Sequence, residues 1–327
     1  MSRARDLADR VLHNRTHEDT EGGRESIVTF KGEQSGGEIS TLAQIQASHD
    51  GTADDQKADL IFKTNDGSDG ASPTEAMRIN SDSQLLVGET TAIASNVIAT
   101  FATSDSSTAT SAGSGAALAI KNTDTTDNNY STIYFANSAD GIDSAIYGVH
   151  EDADGTGTGR SGELVFATAN TGGGVSERMR IDSDGIVTKP FQPAFMVQLS
   201  TLQTNIAING TRTVLFDTER FDVGGNFSSN TFTAPVTGKY QLNVEIRMDS
   251  VDSGATYYHL YLITSNRTYH TIMDPNFTFD LSYHSISTSV LTDMDANDTA
   301  YVAIYQAAGN AQTDLNQDSN FSGILIG

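Results

Sequence analysis

Tyr240, Leu242, Val244, Ile246 and Met248 stand at every second position, with Gln241, Asn243, Glu245 and Arg247 between them. Alternate residues of a strand point to opposite faces, so this run reads as a half-buried strand. A second run, residues 257–263, is apolar on both sides. Tyr258, Leu260 and Leu262 form one face, and Tyr257, His259, Tyr261 and Ile263 form the other. In a two-sheet sandwich only one of these faces meets the opposite sheet. The other needs cover from a second subunit, so these four residues are the expected subunit interface.

Between such strands the sequence supplies turns. Phe-Thr-Ala-Pro-Val-Thr-Gly-Lys-Tyr over 232–240 sets Pro235 and Gly238 between the strand formers Phe232 and Tyr240. Proline fixes φ and glycine permits a tight reversal. The chain closes on a short apolar strand, Asn-Phe-Ser-Gly-Ile-Leu-Ile-Gly.

The rest of the chain is poorer in core residues. Hydrophobic residues make up 37% of the 327, and the net charge is −23. A phosphate polyanion would be repelled by that charge, so nucleic-acid binding is not expected. With no cysteine, disulfides and thiolate metal sites are excluded. No stretch is long and apolar enough to cross a bilayer. Met1 is followed by Arg3, Arg5 and Asp6 without an apolar run, which does not read as a secretory leader.

At the start, Ala4, Leu7, Ala8, Val11 and Leu12 make one stripe of a short amphipathic helix, with Ser2 as N-cap. A helix this short is marginal alone, so the stripe is expected to dock against a partner. A polar linker follows. Residues 27–189 then hold two copies of one module. Leu60-Ile61-Phe62-Lys63-Thr64 recurs as Leu164-Val165-Phe166-Ala167-Thr168. Glu75-Ala76-Met77-Arg78-Ile79-Asn80-Ser81-Asp82 recurs as Glu177-Arg178-Met179-Arg180-Ile181-Asp182-Ser183-Asp184. Each copy reads as strand, Gly/Asp turn, strand, in units that bury no core alone. Between them, 103–115 is nearly all Ser, Thr, Ala, Gly and Asp, too little apolar area to offset ordering entropy in one chain.

The 232–240 turn, the closing strand, Val214-Leu215-Phe216-Asp217 upstream, and 287–291 before an Asp/Asn turn occur in a telling order. Together they resemble the C1q-like globular domain of the C1q and tumour-necrosis-factor superfamily over about 191–327. The resemblance implies a jelly-roll sandwich that trimerises and binds a ligand it does not name. The repeated Leu-x-Phe-x-Thr and Glu-Arg-Met-Arg-Ile-Asp-Ser-Asp-Gly segment resembles shaft repeats in fibres of tailed bacteriophages. Met-Ser-Arg-Ala-Arg-Asp-Leu-Ala is similar to the start of fibre proteins from marine cyanophages.

Candidate chemistry is sparse. His13 and His17 have zinc-like i, i+4 spacing but no third ligand nearby. Tyr258-His259, Tyr269-His270 and Tyr283-His284 offer rings that stack on sugars and nitrogens that bond hydroxyls, although one member of each dipeptide must face inward. Tyr269, His270, Tyr283 and His284 are the candidate receptor contacts. Residues 151–155 and 182–185 look like pieces of calcium loops without the remaining EF-hand ligands. Asp293, Asp295 and Asp298 crowd one turn, a further candidate Ca2+ site suggested by the C1q resemblance; no other cofactor is implied. No nucleophile elbow, P-loop or His-Glu-x-x-His is present, so an enzyme is not expected.

The resulting expectation is a mainly β homotrimer in five parts: an N-terminal anchor helix and linker (1–24), a first shaft repeat (25–88), a linker (89–115), a second shaft repeat (116–190) and a C1q-like jelly-roll tip (191–327). As a virion tail fibre it would dock to phage tail proteins, an adaptor or nozzle, and bind a host cell-surface polysaccharide or protein. The alternatives are a structural trimer whose tip is a folding clamp, and a polysaccharide depolymerase.

Overall fold

The computed structural model describes residues 18–69, 72–103, 106, 115, 117–151 and 161–327. Every helix or strand among them is a strand, so the mainly β expectation holds for these residues. The expected anchor helix with Ala4, Leu7, Ala8, Val11 and Leu12 lies outside them. So do His13, His17, most of 103–115, and residues 152–155 of one calcium-like loop. The chain divides into two compact units, Met1–Ile120 and Lys121–Gly327.

In the first unit, β1 (Ser26–Glu33), β2 (Ile39–His49), β3 (Ala58–Thr64), β4 (Thr74–Ile79), β5 (Leu85–Val87) and β6 (Ala99–Phe101) form one sheet in chain order. Neighbours are antiparallel except the parallel β5–β6 pair. The second unit opens with the other copy, β7 (Asn129–Ala136), β8 (Ile142–His150), β9 (Gly162–Ala169), β10 (Val175–Ile181) and β11 (Val187–Thr188), also in chain order.

Register makes the two sheets equivalent. In the first, Val28, Ile45, Phe62, Met77, Val87 and Phe101 fall in one row across six strands. In the second, Ile133, Ile146, Phe166 and Met179 make the matching row. The face bearing each row has its large side chains half-buried or exposed: Val28, Phe30, Leu60, Ile79 and Phe101 in one copy, Ile133, Phe135, Leu164 and Val187 in the other. Neither face is closed by a second layer in its own sheet.

The opposite faces share an ionic device that depends on a bulge. Met77 pairs with Phe62 and Glu75 with Lys63, leaving Ala76 as an extra residue. Met179 and Glu177 leave Arg178 extra in the same way. Residues three apart in a regular strand point to opposite sides, and one inserted residue brings them to the same side. Arg78 can therefore clamp Glu75 with two bonds of 2.6 Å and reach Asp59 at 2.5 Å. Arg180 grips Glu177 at 3.1 and 2.6 Å and pairs with Glu163.

The remainder folds into a two-sheet sandwich. Its strands are β12 (Ala194–Gln198), β13 (Thr211–Thr213), β14 (Thr218–Val223), β15 (Phe227–Ser228), β16 (Thr231–Thr233), β17 (Gly238–Val251), β18 (Tyr257–Thr264), β19 (Thr268–Met273), β20 (Leu281–Met294), β21 (Thr299–Ala307), β22 (Asp314–Leu315) and β23 (Asn320–Leu325). One sheet runs β14-β12-β23-β17-β20 with β22 beside β17, and the other runs β15-β16-β21-β18-β19 with β13 beside β21. Strands distant in sequence thus alternate between layers, the jelly-roll arrangement.

Both alternating runs fill the space between the sheets. Tyr240, Leu242, Ile246 and Met248 are wholly buried, as are Tyr258, Leu260 and Leu262 from the facing sheet. Phe195 is the hub, stacked on Phe232 at 4.5 Å and on Phe227 at 5.4 Å, with Phe321 edge-on at 5.0 Å. The closing strand β23 is central, between β12 and β17. Gly323 lets that happen: a Cβ there would sit 2.5 Å from the Phe195 ring and 2.6 Å from Leu242. Gly238, expected to serve a tight reversal, instead starts β17, where a side chain would strike Leu325 and the Gly327 carbonyl. Tyr240 donates its hydroxyl to the Val236 carbonyl at 2.7 Å and so ties the Pro235 turn to the core.

Candidate functional site

The outward face of the sheet containing β18 is the most unusual surface of the sandwich. Cross-strand register lays down three rows: Thr211, Tyr305, His259 and Ile272; Thr213, Ala303, Tyr261 and His270; and Thr231, Tyr301, Ile263 and Thr268. Tyr257 and Ala307 continue it at one end. Every position here is Ser, Thr, Tyr, His, Ile or Ala. The outward positions of β17 in the other sheet, by contrast, carry Lys239, Glu245, Arg247 and Asp249.

Aromatic rings pack against one another across this face. Tyr257 lies near-parallel to Tyr305 at 5.9 Å, His259 to His270 at 5.2 Å, and Tyr261 contacts both imidazoles. The mutual contact leaves Tyr257, His259, Tyr261, Ile263, Tyr301 and Tyr305 only half-buried. His259 Nδ1 and the Tyr261 hydroxyl share a hydrogen bond of 2.8 Å, while His259 Nε2 is buried without a partner among the described residues. Desolvation, then the neighbouring His270, holds the His259 imidazole below its ordinary pKa. Burial, followed by Tyr257 and Tyr305, raises that of Tyr261.

The four expected receptor contacts do not converge. Tyr269 packs against the core and donates to Thr292 Oγ1 at 2.9 Å. His270, its neighbour in sequence, is exposed on the aromatic face. Tyr283 is exposed on β20 of the other sheet, with the Arg247 guanidinium 5.7 Å above its ring. His284 is half-buried, 6.0 Å from the Phe277 ring. The expected trimer contacts Tyr257, His259, Tyr261 and Ile263 do form one face, joined by Tyr301 and Tyr305 from β21. Sequence reading passed over those two because nothing local indicates that β21 lies beside β18.

In the acidic turn, Asp293 accepts from Arg267 at 2.9 Å. Asp298 accepts from the Asp295 amide at 2.8 Å and from Asn266 at 3.0 Å. These carboxylates are engaged in closing the turn, and among the described residues no three His, Asp or Glu groups gather in a metal-binding arrangement. Ser131 Oγ meets His150 Nε2 at 3.0 Å, without a carboxylate on the other ring nitrogen among the described residues.

Residues 194–326 match the C1q domain. The strand order above and this match agree on a C1q-like jelly roll. The globular domain of zebrafish complement 1qA is similar at 16% identity, covering 42% of this chain and 98% of its own, with a TM-score of 0.31. Murine APRIL crystallised at pH 8.5 is similar at 11% identity, covering 41% of this chain and 99% of its own, with a TM-score of 0.32. The same protein at pH 8.0 gives 12% identity, 41% and 99% coverage, and a TM-score of 0.33. No curated protein matches the chain. No helix among the described residues is long and apolar enough to cross a membrane.

Proposed function

We propose that this chain is a homotrimeric tail fibre of a tailed phage, with the C1q domain as its host-binding tip. Residues 4–12 dock to a tail adaptor or nozzle, the two repeat sheets make the shaft, and the tip engages a surface glycan. The observation that carries the reading is the pair of equivalent apolar faces on the repeats. Val28, Phe62 and Met77 in one, and Ile133, Phe166 and Met179 in the other, have no covering layer in their own sheets. Burying such a face removes apolar surface from water at about 25 cal/mol per Å2. Copies of a chain with net charge −23 approach most easily through surfaces like these, where the apolar rows carry no charge. Three tips then give avidity where one site is weak.

The test is competition. Excess purified chain is expected to block phage adsorption to its host and to have the mass of a trimer by light scattering. A monomer mass overturns the trimer. A trimer that never reduces adsorption leaves the tip as a folding clamp. Leu7→Asp with Leu12→Asp is expected to keep the fibre off assembled particles, because two charges on the docking stripe would be desolvated.

A further inference from the structure

We propose that the aromatic face of β18, β19 and β21 is a binding platform for an uncharged saccharide, held against Tyr257, Tyr305, His259 and His270. This deepens the host-binding reading above and rests on it for its biological setting. Three observations converge on that ligand class.

The first is charge. The chain has 42 acidic and 19 basic residues, yet no outward position of β13, β16, β18, β19 and β21 is Asp, Glu, Lys or Arg. A phosphate, sulfate or carboxylate ligand would find no cation here, and a basic peptide no anion. The second is ring chemistry. The C–H faces of a sugar ring are apolar and carry partial positive charge, and they settle on the electron-rich faces of aromatic rings. The near-parallel Tyr257 and Tyr305 rings, 5.9 Å apart, sit beside the His259–His270 pair.

The third is hydrogen bonding. Sugar hydroxyls donate and accept around the ring edge, and a matching site needs polar atoms that the protein has not used. His259 Nε2 is buried without a partner among the described residues, and a buried unpaired polar atom is unfavourable until a ligand satisfies it. The hydroxyls of Tyr257, Tyr301 and Tyr305 make no hydrogen bond among the described residues, in contrast to Tyr240, Tyr258 and Tyr269, whose hydroxyls all bond within the fold. A second copy of the chain would cover the rings, but it would match these free polar atoms only if it brought hydroxyls or amides of its own.

Full-length protein is run in native gels containing dextran, mannan or galactan, with alginate as the anionic control. At least one neutral polymer is expected to retard it, and alginate is not. Tyr305→Ala and Tyr257→Ala are expected to weaken the retardation at least tenfold with unchanged mass by light scattering, whereas Tyr305→Phe stays within about threefold. Tyr257→Leu keeps the bulk and removes the ring, and so preserves the test should the alanine variants fail to fold. Retardation by none of the neutral polymers, or equal retardation of the ring-deleted variants, overturns the platform. A change in mass on Tyr305→Ala also overturns it, and gives the face to a second copy. Should Tyr305→Ala still block phage adsorption as well as wild type, the host-binding role stands and the platform falls. Should sugar binding depend on Tyr305 while wild type leaves adsorption untouched, the platform stands and the fibre reading falls.

Discussion

The sandwich and the repeat sheets are written in the same alternating pattern and reach different ends. In the sandwich, the inward faces of β17 and β18 meet each other through Phe195, Phe232 and Phe321, and the large side chains there are fully buried. In the repeats, the row Val28, Ile45, Phe62 and Met77 is as regular as any in the sandwich but has no facing sheet. Alternation specifies which face is apolar; it does not supply the surface that covers it. The sandwich finds its cover in its own sequence, through strands from both ends of the domain. The repeats have no such cover among the described residues.

That contrast can be broken most forcefully in the repeat sheets. Phe62→Asp with Phe166→Asp is expected to abolish the trimer at micromolar protein, read as monomer mass by light scattering, while the tip keeps its own thermal transition. An unchanged trimer would mean that these faces are not shared between copies. In the tip, Phe232→Ala is expected to destabilise by about 3–5 kcal/mol, since it empties the centre of the aromatic cluster. Chemical denaturation measures this, and a loss below about 1 kcal/mol would mean that the core is looser than its contacts imply.

The ionic device should separate the two copies. Arg78→Met leaves the buried Asp59 beside Glu75 without a cation, and a broken buried pair is expected to lose about 3 kcal/mol or more. Asp59 is 5% exposed, and burial, its largest influence, already raises its pKa. The Arg180→Met change is expected to lose less, because Arg180 and Glu177 are both 30% exposed and solvent screens them. Equal losses would remove the distinction. Gly323→Ala, with its clash against Phe195, is expected to lose about 1–3 kcal/mol.

The smallest effect is in pH. His259 has a folded pKa below its unfolded value, so the unfolded chain binds the extra proton first. Its contribution is therefore present above the unfolded value of about 6.5 and is lost as pH falls through it toward the lower folded value. The titratable groups facing it are Tyr257, Tyr261, Tyr305 and His270, of which His270 adds to the depression. The tip's thermal midpoint is expected to drop between pH 7 and 5, and His259→Phe to flatten that drop. A slope unchanged in the variant would assign it to other groups.

Much of the fold was legible because strand periodicity is a local property. The Tyr240–Met248 alternation, the closing strand and the repeated segments could all be read from neighbours in the chain. The three Tyr-His dipeptides were legible only by half. Alternation required one member of each to face inward, but only the pairing of β18 with β19 and β21 shows Tyr258 and Tyr269 facing the core with His259 and His270 outside. The Glu-x-x-Arg clamp was hidden for a similar reason. Three-residue spacing puts the two on opposite faces until the bulge at Ala76 or Arg178 shifts one across, and a bulge is a relation between two strands.

The sequence by itself determined that this is a β protein, where its apolar faces lie, that its second half has the C1q pattern, and that two modules repeat. The strand class and its apolar faces follow from periodicity within one segment, the modules from the recurrence of one residue string, and the C1q pattern from a resemblance of motifs in order. The tertiary structure alone decided that β23 inserts between β12 and β17, that Gly323 serves the Phe195 ring, and that Tyr301 and Tyr305 join Tyr257 and His259 on one uncharged face. Those contacts join residues tens of positions apart, where the free energy of burial chooses the partner and no local pattern records the choice.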